Sequence, residues 1–243
     1  MEKTEKTEIQ AVENKTVSIY GFVEKNRKAL LISFVVILVL AAGLIAALIV
    51  NDISRKNTIA KLDILIERYD KVKQSLSSAV DTVDAGGIEG ADDTGDVETL
   101  LGDLRAFGES ASGYPAARAW FMAGNIYHER KEWQEAQAAW LAAAEKGAKT
   151  HLAPVCLFNA AVASEEAGDT DAALENYRKS IDFVDFPAAA HAQFSVGRLE
   201  EKQGDNEAAI AAYRAIIEKW PADTEWTNLA HSRILALELR ESE

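Results

Sequence analysis

Twenty-two consecutive residues near the start of the chain, Ala29 to Val50 (ALLISFVVILVLAAGLIAALIV), carry no charge, no proline and no polar side chain beyond Ser33. A helix that is apolar on every side needs an equally apolar surrounding, and nothing downstream is hydrophobic enough to bury it. At about 1.5 Å per residue the run makes a helix of roughly 33 Å, close to the hydrocarbon thickness of a bilayer. A secretory signal core is shorter and ends at an A-x-A-like cleavage site. Here Asn51-Asp52-Ile53 follows, and the single cysteine, Cys156, lies too far away for a lipobox. The expectation is an uncleaved transmembrane anchor at 29–50 behind a cytoplasmic tail at 1–28. Ala42/Ala46 and Gly43/Ala47 are small-xxx-small pairs that would let a second transmembrane helix approach.

Lys15, Lys25, Arg27 and Lys28 precede the run, and Arg55, Lys56 and Lys61 follow it. The slight N-terminal excess favours an N-terminus inside and the large domain outside the cytoplasm. Over the whole chain, 26 Lys and Arg stand against 39 Asp and Glu, a net charge of -13. That balance argues against a nucleic-acid binder, whose affinity comes from basic groups meeting phosphates. One cysteine excludes an intramolecular disulfide framework and any multi-cysteine metal site.

Residues 51–115 read as a helical stalk or a divergent first repeat. Ile59, Leu62, Ile66, Tyr69, Leu76, Val80 and Val83 recur at three-four spacing, which suits either a short coiled coil or a face docking on later helices. The stretch 84–98 (DAGGIEGADDTGDVE) is acidic and Gly-rich. It reads as a self-repelling loop, because it lacks the register and closing Glu of an EF-hand. A helix is expected from about Val97 to Phe107.

Beyond residue 115 the chain repeats itself. Gly168-Asp169-Thr170-Asp171-Ala172-Ala173-Leu174-Glu175-Asn176-Tyr177 aligns with Gly204-Asp205-Asn206-Glu207-Ala208-Ala209-Ile210-Ala211-Ala212-Tyr213, and an earlier copy begins at Trp133. Ala136, Ala173 and Ala209 mark a period in the mid-thirties, with an amphipathic helix before each copy. Gly124, Ala161 and Gly197 sit where the paired helices must approach closely, and Tyr127, Trp140, Tyr177 and Tyr213 fill the gaps between units. Asp169 and Asp205 suit helix N-caps, and Pro115 and Pro187 suit first turns.

At these residues the chain resembles the tetratricopeptide repeat family. The first copy carries Trp120-x-x-Ala123-Gly124-x-x-Tyr127 and Ala136-x-x-x-Trp140-x-x-Ala143. The third has Gly197, Gly204, Ala209, Tyr213 and Pro221, but Gln193 and Glu200 stand at the usual Trp and Tyr positions. The expected architecture is all-α: an N-terminal transmembrane helix, then a tetratricopeptide-type α-solenoid of three repeats over 116–221. A capping helix at 222–243 would turn Leu229, Ile234 and Leu237 inward.

The resemblance implies that the first helix of each unit lines a partner-binding groove. It assigns Arg118, Phe121, Asn125 and His128 to that groove, then Val155, Phe158, Val162 and Glu165, then His191, Phe194, Arg198 and Glu201. Phe121, Phe158 and Phe194 would form either an exposed aromatic stripe or packing between neighbouring helices. Only Asn125 matches the carboxylate clamp of chaperone-binding relatives, and Phe121 stands where that clamp has Lys.

No catalytic pattern is present. His128-Glu129-Arg130-Lys131-Glu132 lacks the second histidine of a helical zinc motif, and Gly108-Glu109-Ser110-Ala111-Ser112 fails the nucleophile-elbow pattern. Neither an enzyme, a cofactor, a metal nor a small-molecule substrate is expected, and the partners are proteins. In layout the chain also resembles the bacterial ancillary subunit of the SecYEG translocon. That resemblance implies an inner-membrane protein with an extracytoplasmic repeat domain, meeting translocon subunits, periplasmic chaperones or secreted chains. An envelope growth or division scaffold holding peptidoglycan enzymes, and a cytosol-facing docking receptor of reversed topology, are the alternatives.

Overall fold

The computed structural model describes residues 24–83 and 94–241. Most of the expected cytoplasmic tail, residues 84–93 of the acidic loop and the side chains of Leu76, Val80 and Val83 lie outside the described residues. The chain divides into two units, Met1–Asn57 and Thr58–Glu243.

In the first unit the described residues from Arg27 onward form the start of α1 (Arg27–Val83, 57 residues). Its apolar stretch has a mean hydropathy of 3.0 with none of it buried, making it long and apolar enough to cross a membrane. Leu31, Phe34, Leu40 and Val50 are each more than half exposed.

The second unit is all-α among its described residues. After the C-terminal part of α1 come α2 (Thr94–Ser110), α3 (Gly113–Glu129), α4 (Trp133–Lys146), α5 (Leu152–Glu166), α6 (Thr170–Ile181), α7 (Ala189–Gln203), α8 (Asn206–Lys219) and α9 (Thr224–Glu241). The pairs α3/α4, α5/α6 and α7/α8 are three helical hairpins, stacked in order and closed by α9.

The same turn chemistry joins each pair. Gly168 and Gly204 end their first helices in the left-handed region, at φ 81° and 86°, and the next residue, Asp169 or Asp205, caps the second helix. Asp169 Oδ1 accepts from the Ala172 amide at 3.0 Å, and Asp205 Oδ1 accepts from the Ala208 amide at 2.9 Å. These bonds satisfy one of the amides a helix start leaves unpaired. In the first hairpin Lys131 adopts φ 60° in place of glycine, and the Glu132 carboxylate at the cap pairs with Arg130 at 2.7 Å and bonds no helix amide. The backbone turn is nevertheless the same: the amides of Glu132, Asp169 and Asp205 donate to the carbonyls of Tyr127, Ser164 and Glu200 at 2.8–3.0 Å.

Close approach within each hairpin depends on small residues facing a ring. A Cβ at Gly124 would lie 2.6 Å from the Trp140 indole, and one at Gly197 would lie 2.6 Å from the Tyr213 ring. Gly108 of α2 faces Trp120 of α3 in the same way, at 2.5 Å. Four clusters of buried side chains join neighbouring helices of the second unit. Leu62, Leu65, Tyr69 and Val72 of α1 pack with Leu100, Leu101 and Leu104 of α2 and with Met122 and Ile126 of α3. Trp140 and Cys156 join α4 to α5, Tyr177 and Val196 join α6 to α7, and Tyr213 and Leu237 join α8 to α9.

Four local expectations are corrected. Helix α2 begins at Thr94, inside the predicted loop, because Asp96 in its first turn complements the positive helix start. Ile59 is 47% exposed, and Leu65 and Val72 take the buried positions beside Leu62 and Tyr69. Pro187 lies two residues before α7, in the turn leading to it. In α9, Leu229 faces outward at 41% exposure, whereas Ala230 and Leu237 are fully buried and Ile234 packs beside them.

Candidate partner-binding cleft

Helices α5, α7 and α9 line a cleft of ≈ 340 Å³ whose walls include Phe158, Val162, His191, Phe194, Arg198 and Trp226. The rings are contiguous. His191 stacks on Trp226 with centroids 4.4 Å apart and an interplanar angle of 11°, and it lies 4.9 Å from Phe158. Phe194 meets Trp226 at 5.3 Å and Tyr213 at 5.2 Å, while Phe158 meets Tyr177 edge-on at 5.3 Å. Phe158 and Phe194 are thus half-buried, with one side packed against neighbouring helices and the other on the cleft. Such edge and offset contacts are the arrangements ring quadrupoles favour.

Charged side chains beside these rings fasten one unit to the next. Glu165 of α5 accepts two hydrogen bonds from the Arg198 guanidinium of α7, both at 2.6 Å, and a longer one from the Tyr177 hydroxyl at 3.4 Å. One step along, Glu201 of α7 pairs with Arg233 of α9 and accepts from the Tyr213 hydroxyl at 3.4 Å. A third ion pair joins Arg178 of α6 to Glu200, which is buried at the position where the first unit has Tyr127.

Titration behaviour follows from this geometry. Burial works to raise the Glu165 carboxyl, but the hydrogen bonds and charge of Arg198 outweigh it and hold the group below its ordinary value. The Arg233 hydrogen bond does the same for Glu201 against a smaller burial effect. Burial, reinforced by the adjacent carboxylates, pushes the Tyr177 and Tyr213 phenols up to about 12, so both keep the protons they donate. Burial and then the charge of Arg198 lower His191, with Glu225 opposing. Cys156 is fully buried, and its thiol is pushed up to about 12 by that burial, so it is a packing residue without nucleophilic character.

The first hairpin is different. Arg118 places its guanidinium 5.5 Å from the Phe121 ring, and Phe121 packs on the α4–α5 interface. Asn125 is committed to structure: its amide donates to the Tyr69 hydroxyl at 3.0 Å, and its carbonyl accepts from the Trp140 indole at 3.2 Å. His128 is enclosed by Trp133 and Trp140, at 5.2 and 5.4 Å. Of the twelve residues assigned to the groove, Phe158, Val162, Glu165, His191, Phe194 and Arg198 therefore converge on one cleft, while Val155 packs against the core that holds Leu174 and Tyr177. Glu201 belongs to the adjoining clasp, and Arg118, Phe121, Asn125 and His128 lie one unit away.

Trp226 is the cleft residue that pattern reading missed. Extending the period past the third copy would have found it, because Trp226 and Arg233 lie 35 residues beyond His191 and Arg198. The cap is thus a further first-type helix. Among the described residues no group of His, Cys, Asp and Glu is placed to hold a metal ion.

The tetratricopeptide repeat family matches residues 158–224. A TPR repeat-containing protein of Treponema pallidum (strain Nichols) is 32% identical over 229 residues, covering 91% of this chain and 93% of that protein. The crystal structure of MamA is similar at 19% identity with a TM-score of 0.44, covering 69% of this chain and 89% of that one. On the stacked hairpins and the near full-length match to its bacterial relative, the chain belongs to the tetratricopeptide repeat proteins and is a protein–protein interaction module.

Proposed function

We propose that this protein is a membrane-tethered adaptor that holds segments of other polypeptides in the cleft between α5, α7 and α9. The observation that carries the reading is the half-exposed ring cluster, Phe158, His191, Phe194 and Trp226, fixed by inter-unit ion pairs. Rings locked in place lose little side-chain freedom on contact, which favours them as anchors for a bound chain. The unburied apolar stretch of α1 supports the tether, since in water it would leave a long greasy surface open to aggregation. Its finer form, resting on layout, is an ancillary subunit of the SecYEG translocon in a bacterial inner membrane. In that form the repeats are extracytoplasmic and meet chaperones or secreted chains.

A photoreactive amino acid at Val162, in the cleft, tests the reading in cells making the full chain, with exposed Glu175 on α6 as the control position. The expected result is membrane-bound adducts from position 162 and none from 175. Translocon or chaperone identity among the adducts supports the finer form, and peptidoglycan enzymes in their place replace it with the envelope-scaffold reading. Equal adducts from both positions, or a chain recovered in the soluble fraction, would contradict the proposal.

A further inference from the structure

We infer that the cleft selects a basic side chain, Lys or Arg, carried on an otherwise apolar segment of the partner; this deepens the adaptor reading and rests on it. Three observations combine. The cleft offers a continuous aromatic surface, with the Trp226 indole beside His191 and Phe194, and the faces of such rings attract cations.

The cleft's own cation is already neutralised. Arg198 is committed to Glu165 by two hydrogen bonds. Glu166, exposed on the wall of the same cleft, has no ion pair among the described residues. A neutral apolar segment laid over Glu166 would strip its water without replacing it, which is costly for a carboxylate. A basic side chain supplies the missing partner.

The surrounding charge has the same sign. Residues 152–241 hold sixteen Asp and Glu against eight Lys and Arg. All five arginines there, Arg178, Arg198, Arg214, Arg233 and Arg240, face carboxylates of this chain. An acidic segment would therefore meet an excess of negative charge, whereas a basic one is drawn in by it.

The test uses the full chain reconstituted in nanodiscs and three fluorescent twelve-residue peptides of Leu, Ala and Ser. They differ at two positions, which hold Arg, its neutral isostere citrulline, or Glu. The Arg peptide is expected to bind at least ten-fold more tightly than the citrulline peptide and to weaken as salt is raised. Glu166→Gln, a change at an exposed position, is expected to reduce Arg-peptide affinity about five-fold or more and to leave citrulline-peptide affinity undiminished or improved, since the desolvation cost of the carboxylate is gone. Trp226→Leu is expected to weaken the Arg peptide at unchanged helicity. Equal affinity for the Arg and citrulline peptides, or preference for the Glu peptide, overturns the inference while leaving a groove that binds chains. Failure of all three peptides, together with absence of adducts from position 162, overturns both the inference and the adaptor reading.

Discussion

Arg198 of α7 and Glu165 of α5 meet end to end, the two guanidinium nitrogens donating to the two carboxylate oxygens at 2.6 Å each. The pair lies on the cleft wall and bridges two hairpins, so it couples the stability of one unit to the next. In stacked-repeat proteins such neighbour interfaces supply much of the total stability. Glu165→Gln keeps the size and removes the charge. For this half-buried pair the expected loss is about 1 kcal/mol, the upper end of the range for partly exposed ion pairs. A double-mutant cycle with Arg198→Gln, read by urea unfolding, checks it. Coupling indistinguishable from zero would show that the pair is ornamental.

The same carboxylates set an acid limit. Glu165 and Glu201 are held below their ordinary values in the fold, by Arg198 against burial and by Arg233 respectively. The unfolded chain therefore binds more protons than the folded one once pH falls below the normal carboxylate range. Their stabilisation is complete above that range and is lost as pH drops through the depressed folded values. His191, lowered chiefly by burial, adds loss of the same sign beginning near its ordinary 6.5. Thermal unfolding across pH 3–8 should show a first shallow decline below about 6.5 that His191→Gln removes, then a steeper one below about 4.5 that Glu165→Gln and Glu201→Gln reduce. A first decline unaltered in His191→Gln would refute the assignment.

Gly124 is a steric requirement of the first hairpin. A Cβ there would sit 2.6 Å from an indole that is itself fixed by its hydrogen bond to Asn125. Overpacking of about 1–3 kcal/mol outweighs the roughly 1 kcal/mol that alanine gains over glycine in a helix. Gly124→Ala should thus destabilise by about 1 kcal/mol in a denaturant titration. A more stable variant would show that Trp140 moves freely.

Lys131 makes the opposite case. Its φ of 60° is the conformation glycine provides at 168 and 204. Lys131→Gly relieves left-handed strain of about 1 kcal/mol, offset in part by the extra freedom glycine has when unfolded. A net gain of about 0.5 kcal/mol is expected from chemical denaturation, and a net loss would contradict the strain argument.

The hairpins were legible in the sequence because their signals are local and repeated: glycine then aspartate at the turns, small residues opposite rings, a period in the mid-thirties. Leu65 and Val72 were less so, since the three-four spacing of α1 fits more than one face and only packing on α2 and α3 chooses between them. The repeat spacing places Phe158, Val162, Glu165, His191, Phe194 and Arg198 on first-type helices, but it does not show what each side chain touches. Glu165 and Arg198 lie 33 residues apart, and nothing in spacing shows that their charges meet. Asn125 was hidden in the same way, because its partners Tyr69 and Trp140 come from different units. Trp226 is less legible because it lies in the closing helix, outside the three clear copies, and only the 35-residue spacing from His191 ties it to them.

Hydrogen–deuterium exchange on the membrane-reconstituted chain, with and without a captured partner, addresses the central claim most directly. Partner binding is predicted to slow exchange in α5, α7 and the first turns of α9, leaving α2 and α4 unchanged. Protection confined to α2 and α4, or none anywhere in the repeats while the partner stays bound, would contradict the account.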